Sequence, residues 1–210
     1  MQLIETIDQA LKNNDKPRAV EVVIEAFEDG MDVVTFYEKV LTEILNRVDC
    51  DQNDADCIWL EHQMSSIART LVEITYPYVI KQKRPPRENK HALIVCPKNE
   101  THELGALMGA HMFELVGFKT TYIGANTPVY TIESAINTLN PTHLVLSVSN
   151  AYHLFEVDKV ITRLRANYKD LKLIGAGRAF TYNKDHFKAS VDALIESFET
   201  VKHLAPKGEK

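Results

Sequence analysis

Apolar positions recur at helical spacing from Leu3 to about Tyr78, then give way to short apolar runs alternating with helical stretches. Ile4, Ile7 and Leu11 form a first stripe that Asn13-Asn14-Asp15 closes. Lys16-Pro17 opens a second helix with Val20, Val23, Ile24 and Phe27 on its apolar face and Gly30 as its stop. Asp32 is placed to cap a third helix carrying Val34, Phe36, Tyr37, Val40, Leu41, Ile44 and Leu45. A fourth is expected from about Asp54 to Tyr76, ending before Pro77 because proline removes a helix hydrogen bond. Helices joined by such short connections predict a four-helix bundle over residues 1–80.

Residues 81–90 break the pattern: Lys-Gln-Lys-Arg-Pro-Pro-Arg-Glu-Asn-Lys is charged, holds two prolines and has no apolar period, so it reads as a flexible linker. Its basic charge fits solvation better than nucleic-acid contact, since no aromatic residues are interleaved with it. Beyond it, strand candidates at 92–96, 120–123, 143–147, 171–174 and 193–196 alternate with helix candidates at 103–115, 129–139, 155–166, 184–189 and 198–204. That alternation predicts an α/β domain over residues 91–210, a flavodoxin-like, doubly wound sheet of five parallel strands.

Composition narrows the class. The chain has 210 residues, 45% of them hydrophobic, enough for a substantial core. Without a membrane-length apolar run or a signal-peptide core, a soluble cytoplasmic protein is expected. The net charge of −5 argues against a nucleic-acid surface as the main property. Cys50, Cys57 and Cys96 are odd in number and form no CxxC pair, so neither a disulfide framework nor a zinc knuckle is expected. No glycine-rich phosphate loop follows the first strand, and Ser147 and Ser149 lack a hydrolase elbow, so no free-standing catalytic constellation is visible.

Candidate chemistry gathers in the loop after the first strand, Cys96-Pro-Lys-Asn-Glu100-Thr-His102-Glu-Leu-Gly105. A neutral imidazole is a good ligand for cobalt or another borderline metal, and a nearby carboxylate can hold its second nitrogen and raise its basicity. His102 is the candidate ligand and Glu100 its orienter, while Gly105, lacking a Cβ, lets a bulky planar group approach the backbone. By itself a histidine in a polar loop is more often a solvated or capping residue. The other strand-end loops supply Ser147 and Ser149 as hydroxyl donors or acceptors, and Gly175 and Gly177, where a flat group or nucleotide tail can pass. On the fourth helix Trp59, Glu61 and His62 stand where they can look out of the bundle toward a ligand, although a tryptophan at helical spacing is commonly core and Glu-His commonly surface.

The run Glu100-Thr-His102-Glu-Leu-Gly105-Ala-Leu-Met, with Tyr122-Ile-Gly-Ala-Asn-Thr-Pro128, resembles the cobalamin-binding domain of MerR-type light-responsive repressors and of corrinoid methyltransferase proteins. The resemblance covers roughly residues 30 to 205. The family pattern is Asp-x-His-x-x-Gly with the histidine as lower axial ligand, so it implies that His102 binds cobalt and that Glu100 stands for the aspartate. It also implies that Glu61 and His62 match a Glu-His pair over the upper corrin face. The family's tryptophan stands about ten residues before that glutamate, whereas Trp59 is two before it. The third strand's Ser-x-Leu becomes Ser147-Val-Ser149, and the fourth strand's Gly-Gly becomes Gly175-Ala-Gly177, followed by Arg178-Ala-Phe180 as in the family's Gly-Gly-Arg-Ala-Phe form.

The resemblance implies a cobalamin cofactor whose upper ligand (adenosyl, methyl or hydroxo) is open. The leading expectation is a non-enzymatic sensory or regulatory protein, lacking a DNA-binding domain, that answers light or ligand exchange at cobalt through a protein partner or homo-oligomer. The alternative is a corrinoid carrier working with a methyltransferase subunit. A third reading is a relative that binds heme through His102, or no corrin at all. Neither nucleic acid nor membrane is an expected direct partner.

Overall fold

The computed structural model describes residues 2–48, 50–51 and 53–205, and the chain divides into two compact units, residues 1–82 and 83–210.

The first unit is helical: α1 (Gln2–Lys12), α2 (Lys16–Glu28), a third helical stretch and α5 (Ala55–Gln82). Asp15 caps α2 by accepting from the Arg18 N–H at 3.1 Å, with proline in the first turn, and Gly30 (φ 96°) lies beyond its end. The third stretch starts at Asp32, whose carboxylate accepts from the Thr35 N–H at 2.9 Å. It then changes pitch, running as α3 (Val33–Thr35), a π-helix (Phe36–Leu41) and α4 (Thr42–Asn46). The wider turn belongs to a segment in which Phe36, Tyr37, Val40 and Leu41 are all buried. Burial pushes the Tyr37 hydroxyl well above its ordinary range.

Two expectations for this unit are corrected. The last helix does not stop before Pro77 but continues to Gln82. Tertiary contacts outweigh the missing N–H: Tyr78 stacks on Phe27 with centroids 4.4 Å apart, Val79 is fully buried, and the Gln82 side chain accepts from the Val33 N–H. Nor are the cysteines all free, since Cys50 and Cys57 form a disulfide with Cα atoms 5.5 Å apart. The chain turns back just ahead of α5, whose start Asp54 caps through the Cys57 N–H, and this turn brings together thiols that spacing alone does not pair.

The second unit has the expected parallel, doubly wound form. Its strands are β1 (His91–Val95), β2 (Lys119–Tyr122), β3 (His143–Ser147), β4 (Lys172–Ala176) and β5 (Ala193–Ile195), in the order β2-β1-β3-β4-β5. Register pairs Leu93 with Thr121 on one side and with Leu144 on the other. Side chains alternate between the two faces. Ala92, Ile94, Cys96, Val145 and Ile174 pack with Ala106, Ala110 and Phe113 of α6 (Leu104–Leu115) and Val201 of α11 (Phe198–Leu204). Leu93, Val95, Leu144, Leu146 and Leu173 pack with Ile132 and Ile136 of α7 (Val129–Leu139) and Val157, Ile161 and Leu164 of α8 (Leu154–Asn167). Two short helices, α9 (Arg178–Tyr182) and α10 (Lys184–Phe187), follow β4, and the first has no counterpart in the sequence reading. The stretch expected as a flexible linker is stitched to this unit: the Arg84 and Arg87 N–H groups donate to Leu115 and Gly117 carbonyls, and the Arg87 Nε to Val116.

His111 on α6 and His143 on β3 are both buried, and desolvation holds each imidazole down at about 4; Lys90 and Lys172 add to the effect at His143. Their folded values lie below the unfolded value, so the unfolded chain binds more protons as pH falls. Unfolding free energy from urea titration should therefore hold above about pH 6.5 and fall between 6.5 and 4, by roughly 3 kcal/mol per histidine. Thiol titration in denaturant without reductant should find Cys96 alone reactive. Reduction should destabilise the first unit by about 2 kcal/mol, the order expected for so short a loop.

Candidate functional site

In a sheet of this order the chain leaves β1 in one direction and β3 in the other, opening a crevice at their carboxyl ends. The loop after β1 enters that crevice under strong backbone control. The Cys96 N–H donates to the Gly124 carbonyl and the Thr127 N–H to the Cys96 carbonyl, so the loop after β2 runs alongside. Asn99 and Asn126 both take left-handed backbone (φ 72° and 52°), which asparagine tolerates better than most residues. Asn126 accepts from the Asn99 N–H through its side chain at 2.8 Å, and its own N–H donates to the Glu100 carbonyl at 2.8 Å.

That frame drives the Glu100 side chain inward until it is wholly buried. One oxygen, Oε1, accepts from the His102 backbone N–H at 2.8 Å and faces His102 Nδ1 at 2.6 Å. The other, Oε2, accepts from the Ser149 and Asn150 N–H groups at 2.8 and 3.0 Å. A single carboxylate thus ties the loop after β1 to the loop after β3 across the crevice. Burial opposes its charge, but hydrogen bonds from His102, Asn150 and Ser149 outweigh burial and hold the carboxyl at about 2. It is ionised at neutral pH, so Nδ1 of a neutral His102 carries the proton and Nε2 is the nitrogen suited to a metal. The ring is half exposed at the rim.

The expected site residues fall into two groups. His102, Glu100, Gly105, Ser147 and Ser149 gather around the crevice: Ser147 is buried at the end of β3, and Ser149 donates to Glu100. A Cβ placed on Gly105 or Gly124 meets nothing within 4 Å, which leaves room for a large group beside the backbone. Gly175 and Gly177 do not serve as open passage. A Cβ at Gly175 would lie 2.6 Å from the Phe180 ring, and one at Gly177 (φ 94°) 2.4 Å from the Val148 carbonyl. The protein's own atoms fill both places, so these glycines are required by internal packing. Trp59, Glu61 and His62 lie on α5 of the other unit; Trp59 is 55% exposed, and its indole N–H donates to Asp56 on the same helix. Asn126 and Asn150 stand in strand-end loops that the sequence marks as polar, but their bonds to Asn99 and Glu100 are roles that loop composition alone does not assign.

A half-exposed imidazole with a buried carboxylate on Nδ1, beside open glycine-lined space, suits a planar metal cofactor taken through Nε2. Comparison with known proteins agrees. The B12 binding domain model matches residues 90–204, more than half of the chain, and the chain belongs to that family. Its cofactor is a cobalamin. Trimethylamine corrinoid protein 1 of Methanosarcina acetivorans is 25% identical over 142 residues, covering 67% of this chain and 65% of that protein. The HTH-type transcriptional repressor CarH of Myxococcus xanthus is 24% identical over 167 residues, covering 77% of this chain and 52% of the repressor. Among solved structures, the monomethylamine corrinoid protein of Methanosarcina barkeri superposes with a TM-score of 0.79 at 19% identity, over 97% of both chains. The methanol:cobalamin methyltransferase complex MtaBC of Methanosarcina barkeri contains a chain matching at a TM-score of 0.51 and 15% identity, over 97% of this chain and 78% of that one. At these identities the structural likeness is one of fold. No described helix is long and apolar enough to cross a membrane.

Replacing Glu100 by Ala removes the acceptor of the His102, Ser149 and Asn150 backbone N–H groups. Unfolding of the cofactor-free protein should show a loss of about 3 kcal/mol. An unchanged midpoint would mean that the two loops do not depend on this carboxylate.

Proposed function

We propose that this chain is a corrinoid carrier for a methyltransferase, with His102 as the lower ligand of cobalt. The observation that carries this reading is the likeness to the monomethylamine corrinoid protein, which extends over 97% of both chains and so takes in both compact units. The trimethylamine corrinoid relatives point the same way. When bound, the corrinoid supplies a cobalt centre that accepts and gives up a methyl group between partner proteins.

The chain's own part is to hold that centre. His102 binds through Nε2, Glu100 fixes the tautomer and orientation of the ring, and Ser147 and Ser149 line the crevice toward the cofactor's tail. A methyltransferase subunit is the partner. The sensory reading rests on Glu61-His62 and on the similarity to CarH. Against it stands Trp59, displaced along the sequence and bonded to Asp56 of its own helix, which weakens a light-responsive upper face.

One experiment tests both parts. The purified chain is loaded with methylcobalamin or adenosylcobalamin and compared in darkness and after illumination by gel filtration and small-angle scattering. A carrier keeps one oligomeric state throughout; a light-driven change would overturn this reading in favour of the sensory one. His102→Ala should remove the histidine-ligated spectrum and weaken cobalamin binding by about 100-fold, as loss of a metal ligand requires.

A further inference from the structure

Glu100 restrains His102 from the side of the crevice, but the residue after His102 is restrained as well. Glu103 occupies the N-cap position of α6, where a side-chain oxygen ordinarily accepts from a helix N–H, yet it makes no such bond. Its carboxylate instead accepts from the Tyr122 hydroxyl at 2.7 Å. Tyr122 is the last residue of β2, and its register partner is Ile94 in β1. Beneath the turn lies the buried Cys96, whose thiol faces the His102 carbonyl at 3.8 Å. The Tyr122 and Ser147 hydroxyls also hydrogen-bond the Cys96 side chain, and burial pushes that thiol up to about 12. Cys96 is therefore a buried, neutral thiol packed beneath the His102 turn.

We infer that Tyr122 and Glu103 form a second positioning pair for His102, which acts through the backbone and sets how firmly the imidazole ligates cobalt. The inference rests on the assignment of His102 as the cobalt ligand. Glu100 anchors the His102 turn to the loop after β3, and Tyr122 anchors the next residue to β2. The ligand sits between two tethers that pull toward strands on opposite sides of β1. Removing one leaves the imidazole held to Glu100 but lets the start of α6 shift, so the ring keeps its tautomer and loses its fixed height.

The test uses the full chain with hydroxocobalamin as probe, in Tyr122→Phe, Glu103→Ala and Glu103→Gln. Tyr122→Phe and Glu103→Ala should each lower the histidine-ligated fraction in the visible spectrum and weaken binding by about ten-fold, within the range for outer-shell partners of a metal site. Amide exchange at residues 101–105 should speed up in both variants before cofactor is added, while β3 and β4 amides stay protected. Glu103→Gln keeps an acceptor for the Tyr122 hydroxyl and should recover most of the ligation. The double variant Tyr122→Phe with Glu103→Ala should be no weaker than either single one, because both cut the same tether. Wild-type spectrum and affinity in Tyr122→Phe, or additive losses in the double variant, would overturn the pair while His102 remains the ligand. A wild-type chain whose bound cobalamin shows no histidine ligation would overturn both.

Discussion

One buried carboxylate organises the functional end of this protein. Glu100 has no exposed surface and satisfies donors from two loops, and a charge in that position is tolerable only because its oxygens are filled by N–H groups. The Ser149, Asn150 and His102 amides are in turn all paired by this one carboxylate. Loops tied in this way before a cofactor binds lower the ordering cost of binding. With glutamate at this position the carboxylate still reaches the imidazole, 2.6 Å from His102 Nδ1.

The sheet explains why such a carboxylate can reach both loops. In the order β2-β1-β3-β4-β5 the strands that carry the histidine and serine loops are direct neighbours, paired from Ala92–His143 to Val95–Leu146. Their ends are therefore a strand spacing apart, about 5 Å, a gap that one glutamate side chain bridges. The fourth strand contributes differently. Gly175 and Gly177 bring Phe180 and Val148 against the strand end, so this side is closed by core packing. Internal packing is by itself enough to demand glycine at both positions.

The first unit holds three features that its apolar pattern does not announce: a π-helical segment, a helix that runs through Pro77, and a disulfide beside the start of the helix bearing Trp59. On that helix the Trp59 indole N–H donates to Asp56 and the ring is largely exposed, so it is not part of the first unit's core.

The sequence by itself determined the class of the fold and pointed to cobalamin as the cofactor. The short continuous apolar runs of β1 and β3, both buried along their whole length, the cap at Asp32 and the Glu-Thr-His-Glu-Leu-Gly loop are all local signals, encoded by residues near one another in the chain. What only tertiary structure decided depends on residues far apart. The passage of α5 through Pro77 rests on Phe27 and Gln82, and the tethering of residues 84–87 rests on carbonyls at the end of α6. The Cys50–Cys57 bond is close in sequence, yet it forms because the chain reverses there, which spacing does not announce. The second bond of Glu100 spans 49 residues and that of Tyr122 to Glu103 spans 19. Local pattern carries the energetics of helices and strands, whereas a buried polar group is satisfied by whatever donor the packed fold brings to it.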